Sequence, residues 1–330
     1  SDQKQYQPSE FELIAKHFAD LTSQGGVALG IGDDAALINT RPNQQLVVAS
    51  DTLVEGVHFP STATGKQIAT RALCVNLSDM AAMGAQPRWF TLALTLPKDK
   101  ANSLWLADFS AGIAEIAQQF DIALVGGDTT SGPLTVSMTL LGEAPSGESL
   151  QRAGAAVGDT VFITGTLGDG AAGLKLVSTI NGKNSDSDRL LQRFYAPHPQ
   201  VEIGLQLRAI ASACIDISDG LIADLGHICQ SSNVAATIYT EQLPIAADVR
   251  DIASDNGLNW ALFGGDDYQL CFTVSADKLD KVEQLIDCGE LTASKIGTIN
   301  TADDSDNLVT VLDRDNNPVA VNKQGYDHFG

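Results

Sequence analysis

Short apolar runs in this chain repeatedly stop on carboxylates. The run 46–49 (LVVA) ends at Ser50-Asp51 in SDTLVEGVHF, VGGDTT carries Asp128, IDISDGL carries Asp216 and Asp219, and GGDDYQL carries Asp266 and Asp267. GIGDDAAL sets Asp33 and Asp34 directly behind Gly30 and Gly32. One such acid is ordinary, because Asp favours turns and helix N-caps. The recurrence is not, since in α/β folds the carboxyl ends of strands are where ligands bind.

The periodicity around these runs is mixed. Ser9-Glu10-Phe11-Glu12 is a capping box, followed by Phe11, Ile14, Ala15 and Phe18 at helical spacing, which predicts a helix over 9–21. Further helices are expected over 64–82, with Gly84 as its C-terminal cap, and over 103–120, 171–178, 199–213, 221–230 and 276–286. Strands are expected over 46–49, buried, and over 89–96, 122–125, 134–141, 161–164 and 269–274. The fold class is therefore mixed α and β. PSGESLQRAGAAVGD lacks periodicity and is rich in small residues, which puts a boundary near Leu150 and gives two domains, 1–149 and 150–330.

Asp79 falls inside a helical pattern, where Asp is a poor former. Asn76 lies three residues earlier on the same face, and the apolar neighbours Leu77, Met80, Ala81 and Met83 leave that face little solvent. A polar pair in such company is read as addressing a site.

Oxygen donors without His clusters or Cys pairs suit Mg²⁺ or Ca²⁺ rather than zinc or copper. Calcium loops of the D-x-D-x-D-G type are not seen, so magnesium shared with phosphate oxygens is the expected ion. Two bare carboxylates beside a polyphosphate would repel it by about 4 kcal/mol per charge pair at about 4 Å and an effective dielectric near 20. An interposed divalent cation reverses the sign. GIGDDA is therefore a poor dinucleotide fingerprint despite its glycines, and neither a G-x-x-x-x-G-K-[ST] loop nor an H-R-D with a downstream D-F-G occurs. TGTLGDGAAG reads either as a tight strand-to-helix turn or as a loop whose amides help a phosphate.

The charge balance narrows the partners. Lys and Arg number 20 against 41 Asp and Glu, a formal charge of −21, which repels nucleic acid and anionic membranes. No apolar run approaches the roughly 18 residues of a membrane span, and the first thirty residues lack a signal-peptide layout. The five cysteines are odd in number and form no C-x-x-C pair, arguing against a disulfide framework or a structural zinc site. A cytoplasmic location is expected.

Taken in order, GIGDDAAL, SDTLVEGVHF, NLSDMAAMGAQP, VGGDTT, TGTLGDGAAGL, IDISDGLIADLGHI, GGDDYQLCFTV and the terminal GYDHF resemble the thiamine-monophosphate kinases. These belong to the aminoimidazole ribonucleotide synthetase-like superfamily, and the resemblance covers nearly the whole chain. It implies two α/β domains, the first binding ATP and metal and dimerising through its strands, the second closing the active-site cleft. It implies that Asp34, Ser50, Asp51, Asp79, Asp128, Asp216 and Asp219 hold several Mg²⁺ ions, and that Gly127, Asp128, Arg152 and Ser218 contact ATP. His58, Asp266 and Lys323 would lie on the thiamine monophosphate side, where the family usually has Glu in place of Asp266 and often an aromatic in place of Lys323. The implied reaction moves the γ-phosphoryl group of ATP onto the acceptor's phosphate.

A phosphate monoester has its second pKa near 6 and is largely ionised at neutral pH, so no general base is expected. Two rivals stand beside this reading. One is an ATP-dependent synthetase of the same superfamily; selenophosphate synthetases carry a reactive Cys or selenocysteine in a glycine-rich N-terminal tail, whereas here no Cys precedes Cys74. The other is an acidic cation-binding scaffold, whose metal binding would be indifferent to ATP.

Overall fold

The computed structural model describes residues 16–18, 21, 25–31, 35–179, 189–302 and 307–320. Most of the expected first helix and the GYDHF segment lie outside them. The chain divides into two compact units, Ser1–Leu77 with Gln86–Ser146, and Ser78–Ala85 with Gly147–Gly330.

In the first unit β1 (Val27–Leu29) and β2 (Leu37–Ile38) form a small hairpin. The main sheet holds β3 (Gln44–Val54), β4 (Gln86–Leu96), β5 (Ala123–Ser131) and β6 (Thr135–Pro145) in the order β3-β6-β4-β5, with only β4 and β5 parallel. The run 46–49 is thus part of a longer strand that continues through Ser50-Asp51, and it is not buried. β3 lies at the sheet edge, and Leu46 and Val48 are 46% and 58% exposed.

Helix α1 (Gly65–Ala82) joins β3 to β4, and α2 (Ser103–Phe120) joins β4 to β5. They approach closely because glycines stand at the contact: a Cβ on Gly112 would come within 2.7 Å of Lys66 O, and one on Gly65 within 2.9 Å of Phe109 N. The Asn102 side chain caps α2 by accepting from Leu104 N and Trp105 N.

The second unit is built on a six-stranded sheet. Its strands are β7 (Thr160–Thr164), β8 (Ala213–Asp216), β9 (Val234–Tyr239), β10 (Leu270–Val274), β11 (Ala293–Thr301) and β12 (Val309–Leu312), in the order β12-β9-β11-β7-β10-β8. Every residue of β7 and β10 is buried, which is why VFIT and LCFTV read as unbroken runs rather than alternating ones. Helices α3 (Asp169–Thr179), α4 (Arg189–Tyr195), α5 (Val201–Leu207), α6 (Leu221–Ser232), α7 (Ala247–Ala253), α8 (Gly257–Phe263) and α9 (Leu279–Asp287) complete it. The expected helix over 199–213 is a correction: it stops at Leu207, and ACID from Ala213 is the edge strand β8, whose Cys214 N donates to Gln151 O.

The topology gathers three loops at one end of this sheet. Asp216 ends β8 opposite Leu270, the first residue of β10. Thr164 ends β7 and hydrogen-bonds through Oγ1 to Leu270 N. The TGTLGDG, ISDG and GGDDY segments therefore meet at the same edge.

The last turn of α1 also belongs to this unit and closes with a Schellman cap: Gly84 N donates to Ala81 O at 2.9 Å and Ala85 N to Met80 O at 2.8 Å. α5 packs so tightly here that a Cβ on Gly204 would overlap the Ala81 carbonyl oxygen. Gly204→Ala should cost about 1–3 kcal/mol by overpacking. Denaturant titration should show a lower midpoint at unchanged slope; an unchanged midpoint would mean that the contact yields freely.

Candidate active site

At the gathered end of the second unit, β8 delivers Asp216, which is buried and accepts from Ser78 Oγ at 2.6 Å. The chain then turns through Ser218, Asp219 and Gly220 into α6. That turn is held from within: Oδ2 of Asp224 accepts from Ser218 N and Asp219 N at 3.0 Å and from Gly220 N at 3.2 Å. Burial, with Asp216 nearby, pushes the Asp224 carboxyl up to about 7 against the opposing pull of these amides.

The GGDDY loop lies on the ISDG turn. Asp266 N donates to Ser218 O at 2.9 Å, Tyr268 N to Ile217 O at 2.8 Å, and Ile217 N to Gln269 O at 2.8 Å. Gly265, Asp266 and Tyr268 all have positive φ (64°, 59° and 49°), and a Cβ on Gly265 would overlap Ser218 O. The Asp266 side chain is oriented by Tyr268, whose hydroxyl donates to Oδ1 at 2.9 Å.

Asp267 points the other way, into the first turn of α3, accepting from Gly168 N at 2.8 Å and Gly170 N at 2.9 Å. Those two amides of TGTLGDG are thus engaged by an internal carboxylate, and the loop is a strand-to-helix turn closed by Asp267. Arg189 fixes α3 by a bidentate pair to Asp169, at 2.6 and 2.9 Å, and a second pair to Asp248, both at 2.7 Å.

In the first unit the side chains of β3 alternate. Ser50 Oγ donates to Met138 O on the open face, while Asp51 is half-buried and its N–H donates to Asn76 Oδ1 at 3.2 Å. Asn76 is wholly buried and also donates to Ala72 O, so it ties β3 to α1 rather than facing a ligand itself. Asp51, Met138, Leu92 and Gly127 share one register row across the sheet. Three strand spacings, roughly 14 Å, separate Asp51 from Gly127. Asp128 is exposed on the opposite edge strand. His58 is half-buried; its Nδ1 accepts from Val54 N at 3.0 Å, which leaves Nε2 of the neutral ring to donate, and Arg71 Nε holds its carbonyl.

The second unit thus brings Asp216, Ser218, Asp219 and Asp266 together, with Asp79 half-buried next to Ser78. Arg152 is exposed on the segment flanking β8, its carbonyl accepting from Ser232 Oγ. Asp34 and Lys323 lie outside the described residues. Sequence reasoning missed Ser78, Asp224 and Arg189. Only Asp224 left a trace, an acid four residues after Gly220 in the first turn of a helix.

The donors are hard oxygens, and Asp128 and Asp219 have no ion-pair partner among the described residues, which suits a hard divalent cation. Among the described residues no three His, Cys, Asp or Glu groups converge as a closed metal cage. Magnesium is compatible with that pattern, since it keeps several waters and takes one or two carboxylates together with substrate phosphates.

Comparison with known proteins places the geometry. Residues 32–144 match the family model described as AIR synthase related protein, N-terminal domain, and 156–308 match the corresponding C-terminal domain. The thiamine-monophosphate kinase of Salmonella typhimurium is 42% identical over 97% of this chain and 98% of its own length. The chain belongs to the AIR synthase related family, among the thiamine-monophosphate kinases. The crystal structure of thiamine-monophosphate kinase from Stenotrophomonas maltophilia superposes with a TM-score of 0.83 at 44% identity, covering 92% of this chain and 96% of that one. AaThiL complexed with AMPPCP and TMP gives 0.77 at 31% identity, covering 91% and 92%. The two-domain, mixed α/β architecture implied by the motifs is the one this family carries.

The Asp224 anchor of this kinase-family turn has a consequence for stability. Between the ordinary carboxyl value of 3.8 and about 7 the folded chain keeps a proton that the unfolded chain has released. Stability therefore falls as pH rises through that window, by at most about 1.4 kcal/mol per pH unit. Asp224→Asn keeps an oxygen for the three amides and removes the titration. Its stability relative to wild type should rise from pH 4 to 7 and level off above; a flat difference in melts across that range would contradict the assignment.

Proposed function

We propose that this chain transfers the γ-phosphoryl group of ATP to the phosphate of thiamine monophosphate, giving thiamine diphosphate and ADP. The observation that carries this reading is the likeness, over nine-tenths of both chains, to AaThiL complexed with AMPPCP and TMP, an ATP analogue and an acceptor on one protein. The extent of identity to thiamine-monophosphate kinases supports it. A new bond joins an acceptor phosphate oxygen to Pγ as the bond from Pγ to the bridging oxygen breaks, in line and without a phosphoenzyme. Because the acceptor is already ionised, the protein's task is positioning and charge neutralisation rather than proton removal.

The nucleotide is taken as its magnesium complex, and the carboxylates of Asp34, Asp51, Asp79, Asp128, Asp216 and Asp219, with the hydroxyl of Ser50, hold the metal. Bound magnesium would neutralise phosphate charge in a protein that is itself strongly acidic. Gly127, Asp128, Arg152 and Ser218 serve ATP. A Cβ at Gly127 would overlap the Leu92 carbonyl oxygen, so the backbone at that point lies close against β4. His58, Asp266 and Lys323 serve the acceptor. ADP release with Mg²⁺-ATP should require thiamine monophosphate and fail with thiamine or no acceptor, thiamine diphosphate being identified by chromatography. Asp51→Asn should raise the Mg²⁺ needed for half-maximal rate by at least about tenfold. Absence of turnover with the monophosphate would overturn the substrate assignment.

The protein acts as a homodimer in the cytoplasm, joined through strands of the first unit. Supporting this, edge strand β3 leaves Leu46 and Val48 exposed in alternation, an arrangement that isolated chains seldom leave uncovered. No helix among the described residues is long and apolar enough to cross a membrane. Val48→Lys should shift the mass measured by light scattering from two chains to one; an unchanged mass would remove β3 from the interface.

A further inference from the structure

We propose that Asp267 is a positioning residue: by tying the GGDDY loop to the first turn of α3 it fixes the neighbouring Asp266 for the acceptor. The inference rests on the kinase reading and goes further in assigning a role to a residue outside the binding set.

Asp267 is 5% exposed and has no ion-pair partner among the described residues. The acids nearest it in charge are Asp169 and Asp266, so the surroundings oppose rather than favour a carboxylate, and burial pushes its carboxyl up to about 8. Packing alone would be served better by an apolar side chain of similar size. What an apolar side chain could not do is accept two hydrogen bonds, one on each oxygen, from Gly168 N and Gly170 N. Those amides have no partner within their own helix.

The grip reaches Asp266 by two routes. Asp266 is adjacent in the chain, in a left-handed conformation that a non-glycine residue keeps only when its surroundings impose it. Its carbonyl also lies so close to Gly170 that a Cβ there would overlap it, so the same glycine that binds the Asp267 side chain makes room for the Asp266 backbone. On its other side Asp266 meets the ISDG turn through its N–H and Tyr268 through its carboxylate. α3 is itself a firm base, because Arg189 clamps Asp169 to Asp248. The chain of support runs from Arg189 through Asp169 and α3 to Asp267, and from there to Asp266.

Asp267→Asn tests this, since the amide keeps the shape and one acceptor but turns the other oxygen into a donor that faces an N–H. Wild-type turnover of thiamine monophosphate is measured first; its absence would count against the kinase reading alone. With turnover present, D267N should raise KM for thiamine monophosphate at least tenfold while KM for ATP stays within twofold. Hydrogen exchange over residues 168–170 and 264–268 should quicken. Val311→Ala, a core truncation on β12 away from these loops, supplies a destabilised control that should leave the acceptor KM unchanged. A D267N acceptor KM within twofold of wild type, an equal rise in both KM values, or an equal effect of V311A would overturn the proposal. Hydrogen exchange needs no substrate, so unchanged exchange in D267N would overturn the tether whatever the enzyme's acceptor. If D267N does not fold, Gly170→Ala takes its place with the same expected KM split and the same overturning result.

Discussion

The acceptance of backbone N–H groups by buried carboxylates is the interaction on which the second unit's working end depends. Asp224 gathers three consecutive amides on one oxygen, and Asp267 takes two amides of another loop on two oxygens. Turn amides that close to a sheet end would otherwise need water or ligand. Held internally, they leave the neighbouring side chains of Ser218, Asp219 and Asp266 in fixed positions. The carboxyls of Asp224 and Asp267 are both shifted upward by burial, so the order of the loops is obtained at a cost in electrostatic free energy, consistent with the concentration of such strain at functional sites.

The first unit solves a different problem with ordinary strand alternation. One face of the four-stranded sheet carries Val136, Met138, Leu140, Leu92 and Leu94, all buried. The other carries small polar residues that bond across strands, as Ser50 does to Thr139 and Thr52 to Ser137. Asn76 reaches from α1 to the N–H of Asp51, so the strand position of that acid is fixed by a helix residue whose own side chain is out of reach of any ligand.

Much of this was legible in the sequence where the signal is local. The helix expected over 103–120 has the observed bounds, because Asn102 ahead of Ser103 and Asp121 in a left-handed C-cap bracket an unbroken apolar period. The buried runs of β7 and β10 were legible for the same reason. The expected helix over 199–213 overran because ACID is a short apolar run, and such runs do not distinguish a strand from a helix end by period alone. β9, β11 and β12 were missed although they are neighbours in the sheet. Their polar and apolar residues alternate weakly, and their pairing spans long stretches of chain. Nor could the sequence reveal the role of Asp267, whose partners stand 97 and 99 residues away. Its motif marks an acid, and only the fold says whether that acid meets an amide, an arginine or solvent.

That distinction sorts the carboxylates of a strongly acidic chain. Asp169 and Asp248 are neutralised by Arg189, and Asp224 and Asp267 are consumed by backbone amides; these are parts of the scaffold. Asp128 and Asp219 have neither kind of partner through their carboxylates among the described residues; Asp128 is exposed on the edge strand β5, and Asp219 follows β8 by three residues. An uncommitted acid at such a position lowers the local potential, repels a bare polyphosphate and attracts a cation. A surplus of acids is therefore compatible with phosphoryl transfer on one condition, that the phosphates arrive with their metal. On the same condition a chain of net charge −21 can bind a nucleotide without a lysine-bearing glycine loop: positive charge would come with the substrate, and the protein would supply the oxygens that receive it.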